Sequence, residues 1–166
     1  MRQAAADRKL QGTGEIAGFG VRPGLLRVNG ATIVPGGISF TIHSIGATGC
    51  ELCLCHRTEQ QPYAVLPFPD RFRIGHTWSM IVFGLDITEF EYAYRMDVPF
   101  DPERGLLFNK TKFLLDPYAR AVPGQTLWGA PPSPETSSQP AVCQVAFDGG
   151  GFNLTHVPLS AIDFYE

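Results

Sequence analysis

The sequence predicts an all-β fold, an immunoglobulin-like β-sandwich of about seven or eight short strands. Three observations predict it. Apolar residues alternate with polar ones at a period of two in one run after another. Glycine and proline, 18 and 14 of the 166 residues, cut the chain into short segments separated by turns, which favours strands over long helices. No stretch sustains the 3.6-residue period of an amphipathic helix, and the run 117–122 (PYARAV) supplies at most a turn or two.

The elements follow in order. Residues 1–20 are small, polar and glycine-rich and read as an N-terminal arm or an edge strand. In PGGISFTIH, Ile38, Phe40 and Ile42 alternate with Ser39, Thr41 and His43, the pattern of a strand with one buried face, and Pro35-Gly36-Gly37 supplies the turn before it. The loop SIGATG leads to CELCLCH, where Leu52 and Leu54 share a face. YAVLPF (63–68) is bounded by prolines. In TWSMIVF, Trp78, Met80 and Val82 fall on one face. In FEYAYRM, Phe90, Tyr92, Tyr94 and Met96 fall on one face, with Glu91, Ala93 and Arg95 on the other. These last two runs are expected to pair as a hairpin or meander across Gly84-Leu85-Asp86, with their aromatics in the core. A long loop (98–110) then precedes the short apolar run FLLD. Residues 21–122 are thus read as the sandwich, and 123–140 as a Pro/Ser-rich excursion. Residues 141–166 carry a closing strand, AVCQVAF, before DGGGF turns the chain again.

Composition excludes several classes. A net charge of −3 gives no basic footprint for nucleic acid and nothing for an anionic membrane surface. No run approaches the roughly 18–20 apolar residues that span a bilayer, and the start MRQAAADRKL has no apolar core of a leader peptide. The chain is therefore read as cytoplasmic, with Cys50, Cys53, Cys55 and Cys143 reduced.

Catalytic and metal chemistry are not expected. Cys50, Cys53, Cys55 and His56 sit in a strand, where period two puts Cys53 and Cys55 on one face and His56 on the other; structural zinc sites use knuckle turns and a second ligand pair. Buried thiols there behave as small hydrophobes. No Gly-x-Ser-x-Gly elbow is present, and His43, His56, His76 and His156 have no evident nucleophile partner. Gly149-Gly150-Gly151 lacks the Lys-Ser/Thr of a phosphate loop. A glycosidase needs two carboxyl groups facing across a cleft. Asp101 and Glu103 lie in turn chemistry, and Glu89 and Glu91, taken as neighbours on one strand face, read as a wet surface.

The stretch DPERGLLFNKTKFLLDPYAR (101–120), with TWSMIVFGLDITEFEYAYRMD before it, resembles the N-terminal module of bacterial glycogen-debranching enzymes of the isoamylase type, of carbohydrate-binding family 48. NGATIVPGGISFTIHS (29–44) and ELCLC extend the match, and SAIDFYE resembles the segment that passes into the catalytic barrel, so the resemblance runs from about Gly30 to Glu166.

The resemblance implies an immunoglobulin-like module that normally precedes a barrel cleaving α-1,6 branches of glycogen, with residues 141–166 leading toward that absent barrel. It implies no catalytic residues, no metal and no cofactor here. The implied partners are α-glucan, bound weakly, or the catalytic barrel. Phe108, Asn109 and Lys112 match the family's aromatic-Asn-x-x-Lys run and are carbohydrate-binding candidates, with loop structure as the other reading of Asn109 and Lys112. Trp128, between Gln125 and Gly129 in a Gly/Pro-rich loop, is either a sugar platform or a peg into the barrel. Asp116, Tyr118 and Arg120 match the Asp-Pro-Tyr-Ala-Arg segment and are barrel-interface candidates. Where a binding tryptophan would stand, this chain has Cys55-His56-Arg57. The alternative function is a free-standing sandwich that docks on another protein, for which exposed apolar surface around Tyr118, Trp128 and Phe164 would speak.

Overall fold

Alternation of side chains across a pleated strand lets one sequence run face a core and its surroundings at once. The structure, a computed structural model, describes residues 10–56, 59, 61–87, 89–97 and 113–119, and in them the alternating runs become strands. Nine lie among the described residues: β1 (Gly14–Ile16), β2 (Phe19–Pro23), β3 (Gly30–Val34), β4 (Gly37–His43), β5 (Gly49–His56), β6 (Pro62–Pro67), β7 (Arg73–Ile74), β8 (Thr77–Phe83) and β9 (Phe90–Asp97). They form two antiparallel sheets. The larger has the order β1-β2-β8-β4-β3 with β7 hairpinned onto β8, and the smaller has the order β6-β5-β9.

Turn chemistry sets the local register. Val34 opposes Gly37, so Pro35 and Gly36 alone turn the chain; proline fixes the first φ and Gly36 takes +83°, where a side chain would be strained. At the β1–β2 hairpin, Ala17 and Gly18 both have positive φ, as the right-handed strand twist demands of a two-residue loop.

The core lies between the sheets. Ile38, Phe40, Ile42, Trp78, Met80, Val82 and Val21 enter from the larger sheet, and Leu52, Leu54, Leu66, Phe90, Tyr92, Tyr94 and Met96 from the smaller. Phe40 meets the edges of Tyr92 and Phe90 at centroid distances of 5.1 and 6.4 Å, the edge-to-face geometry that aromatic quadrupoles favour. The faces expected to be buried from the alternation are buried.

Three expectations are corrected. Trp78's strand and Phe90's strand do not pair as a hairpin or meander: β8 bonds to β2, β4 and β7, whereas β9 bonds to β5. Strands β8 and β9 lie in different sheets, so their apolar faces look at each other across the core rather than lying side by side. Second, the run 37–43 has both faces buried. Ser39, Thr41 and Ser79 are inaccessible on the outer face of the larger sheet, because the β2–β3 connection crosses over them. Third, Glu91 is not on a wet face: it is 6 % exposed, and Cys53, Cys55 and Ala93 on the same outer face of the smaller sheet are fully buried. Glu89 does not share that face, since it lies in the turn before β9, where its N–H donates to Asp86 O at 3.1 Å.

The crossing of the β2–β3 connection rests on hydroxyls. Gly24 N–H donates to Ser79 O (3.1 Å), Leu25 N–H to Ser39 Oγ (2.9 Å), and Thr41 Oγ1 donates to Leu25 O (3.1 Å). Thr41 and Ser79 hydroxyls pair at 2.6 Å. A Cβ at Gly24 would fall 2.7 Å from Met80 N and 2.9 Å from Ser39 Oγ, so only glycine lets the connection lie this close. Gly24→Ala is expected to cost about 2 kcal/mol through overpacking. Urea unfolding checks it, and a loss below about 0.5 kcal/mol, the size of an ordinary surface change, would show that the connection lifts freely.

Candidate functional site

The sequence candidates divide by position. Asp116 and Tyr118 are described; Phe108, Asn109, Lys112, Arg120 and Trp128 lie outside the described residues, as do the excursion 123–140 and the expected closing strand 141–147.

Asp116 is built into the fold. Leu114 and Tyr94 exchange backbone hydrogen bonds of 2.7 and 2.9 Å, laying the segment 113–119 along the outer edge of β9. Two residues on, the Tyr92 hydroxyl donates to Asp116 Oδ2 at 2.6 Å, Tyr118 N–H donates to Oδ1 at 2.8 Å, and Ala119 N–H donates to the Asp116 carbonyl at 3.0 Å. The side chain thus closes the Asp-Pro-Tyr-Ala turn upon itself, as aspartate does in turns, and ties it to a core tyrosine. It is 3 % exposed. Burial raises its carboxyl above the ordinary aspartate range, opposed by the bonds from Tyr92 and Tyr118.

Tyr118 is the exposed counterpart. Its side chain is 54 % exposed, and Val28 and Leu115 are exposed too. Gly30 makes the approach possible: a Cβ there would meet Tyr118 Cβ at 2.8 Å, and its φ of +82° favours glycine. Among the interface candidates, then, Asp116 holds the turn and Tyr118 presents a surface.

A second aromatic feature was not legible in the sequence. His56, the last residue of β5, stacks on Tyr63 of β6 with centroids 4.3 Å apart and planes at 20°. Both rings are exposed. Tyr63's phenol is pushed up, first by burial and then by Cys55 and Glu89 nearby. The pairing depends on a register shift between Leu54 and Cys55, and an irregularity of that kind leaves no period to read.

The thiols behave as core. Cys50, Cys53 and Cys55 are free and buried. Desolvation raises all three, Cys53 to about 12, where Arg95 opposes the shift and Glu51 adds to it. Among the described residues no group of three or more His, Cys, Asp or Glu side chains gathers as a metal set, and no helix is long and apolar enough to cross a membrane.

Comparison with known proteins adds identity to this geometry. Residues 28–119 match the family model for carbohydrate-binding module 48, the isoamylase N-terminal domain. The chain is 44 % identical over 102 residues to a glycogen debranching enzyme of Serratia proteamaculans, covering 61 % of this chain and 15 % of that one. It is 27 % identical over 157 residues to chloroplastic isoamylase 1 of Arabidopsis thaliana, covering 89 % of this chain and 20 % of that one. A pullulanase from Paenibacillus barengoltzii, crystallised with maltohexaose and α-cyclodextrin, is similar at 24 % identity and a TM-score of 0.44, over 57 % of this chain and 13 % of that one. The chain thus spans between 15 and 20 % of the length of these two curated relatives.

Proposed function

The chain belongs to the carbohydrate-binding module 48 family, matched over residues 28–119, and from that premise we propose that it serves as the non-catalytic N-terminal module of an isoamylase-type glycogen-debranching enzyme. The observation that carries this reading is the 44 % identity to a glycogen debranching enzyme of which the match covers 15 %. In this reading the module works where glycogen is held, in the cytoplasm. It supports an α-1,6-cleaving barrel and contacts α-glucan weakly.

Two surfaces divide those tasks. The rigid Asp-Pro-Tyr-Ala turn, with exposed Tyr118, Val28 and Leu115 and with Arg120 following it, is the face for the barrel; an anchored aromatic rimmed by aliphatics suits protein contact. Trp128, Phe108, Asn109 and Lys112 are the sugar-contact set, and the His56–Tyr63 stack is a further flat aromatic surface. One or two such platforms give a Kd of about 1 mM, which a branched polymer raises in effect through many simultaneous sites.

Native gels containing glycogen test the glucan part with the wild-type chain, Trp128→Ala and Tyr63→Ala. Retardation lost in Trp128→Ala assigns the contact to that loop, and loss in Tyr63→Ala assigns it to the stack. Migration unchanged by glycogen would leave the module a purely supporting role, with a protein as its partner.

A further inference from the structure

We propose that His43 and His76 form a two-histidine site for a borderline divalent metal ion such as Ni²⁺ or Zn²⁺, clipping the end of β4 to the β7–β8 turn. The two imidazoles meet at one end of the larger sheet, with centroids 6.0 Å apart and planes at 78°, and both side chains are exposed. Metal–nitrogen bonds of about 2.1 Å place the centroids of two imidazoles sharing one ion roughly 4.5 Å apart at a right angle and roughly 6.4 Å apart in line. The observed separation falls between these limits, so a rotation of the exposed rings that brings the centroids to roughly 5.2 Å reaches tetrahedral geometry, and nearly perpendicular planes keep the rings from colliding around a shared ion.

The supports are fixed before any ion arrives. His43 ends β4 opposite Thr77, the first residue of β8. Its Nδ1 lies 3.1 Å from Thr77 Oγ1. With Nδ1–H donating to that hydroxyl, Nε2 carries the free lone pair, the arrangement in which a second group sets the tautomer of a metal-binding histidine. His76 sits in the two-residue turn after β7, and its carbonyl accepts Ser44 N–H at 2.9 Å, so the end of β4 and the turn that carries His76 are already joined by backbone. Imidazole nitrogen suits Ni, Cu and Zn better than Mg or Ca. Water completes the coordination, as no third His, Cys, Asp or Glu joins the pair among the described residues.

Calorimetric titration of the full chain with NiCl₂ tests the site in the wild type, His43→Ala, His76→Ala and, as control, His56→Ala. The expected result is one Ni²⁺ per chain, with affinity lowered at least tenfold in either His43→Ala or His76→Ala and unchanged in His56→Ala. Both replaced side chains are exposed, and thermal melting without metal confirms that the variants fold. Wild-type affinity retained in His43→Ala or His76→Ala, whatever the stoichiometry, would mean that the histidines act singly or not at all and would overturn the proposal. Absence of wild-type binding up to about 1 mM Ni²⁺ would overturn it equally.

Discussion

Between pH 9 and 12 this module will lose stability, by up to about 1.4 kcal/mol per pH unit through the Cys53 thiol, with Cys50 and Cys55 acting in the same direction. Cys50, Cys53 and Cys55 are held protonated in the fold chiefly because burial penalises the thiolate; Cys53 moves from 9.0 to about 12. In the unfolded chain the same thiols ionise near their ordinary value. The folded state therefore binds more protons above pH 9, and rising pH pulls the equilibrium toward the unfolded chain. The thiols' contribution is complete below pH 9 and is lost as pH climbs through the raised values. Against a stability of about 5–15 kcal/mol for an ordinary domain, the share carried by Cys53 alone is a measurable loss across that window. Urea unfolding under reducing conditions at successive pH values measures the slope. Cys53→Ala is expected to flatten that slope by close to one thiol's share while changing stability little at pH 7. An unaltered slope would mean that Cys53 ionises in place. The same physics predicts that thiol reagents reach these residues only through unfolding.

Replacing Asp116 by alanine is expected to cost about 3 kcal/mol. Two donors lose their acceptor, the buried Tyr92 hydroxyl and the Tyr118 N–H, and an orphaned donor costs about 1–3 kcal/mol. Asp116→Asn retains an acceptor for Tyr118 and should lose about half as much. Tyr92→Phe removes the hydroxyl's bond to Asp116, at about 1–2 kcal/mol. If the Tyr92–Asp116 bond is the link, the double variant will be less destabilised than the sum of the singles, with a coupling of about 1 kcal/mol or more. Additive losses would show that Asp116 holds the turn without Tyr92. If the turn serves as the proposed face for a barrel, Asp116→Ala will also weaken docking there, whereas Tyr118→Ala will weaken docking while leaving stability nearly unchanged.

Much of this molecule was readable along the chain. The inward faces of β4, β8 and β9 follow from period-two alternation alone, since the pleat fixes side-chain direction within a single strand. The turn at Pro35-Gly36 follows from the fixed φ of proline and the free φ of glycine. The family, too, was legible in the run 101–120.

What the chain could not tell was which strands are neighbours. Backbone hydrogen bonds carry no residue label, so the runs 77–83 and 90–96, adjacent in sequence and both aromatic, read as a pair although they sit in opposite sheets. Nor could the alternation reveal that second faces are covered. Ser39, Thr41 and Ser79 are polar and buried because a connection crosses them, bonding the hydroxyls of Ser39 and Thr41 and the carbonyl of Ser79, whose hydroxyl pairs with Thr41, and Glu91 lies on a face as buried as the core. The candidate site divided the same way. Sequence placed Asp116 and Tyr118 together, but only the tertiary structure separated them: Asp116 turns inward because Tyr92, 24 positions away, offers its hydroxyl there, whereas the Tyr118 side chain, packed at its Cβ against Gly30, is left half exposed.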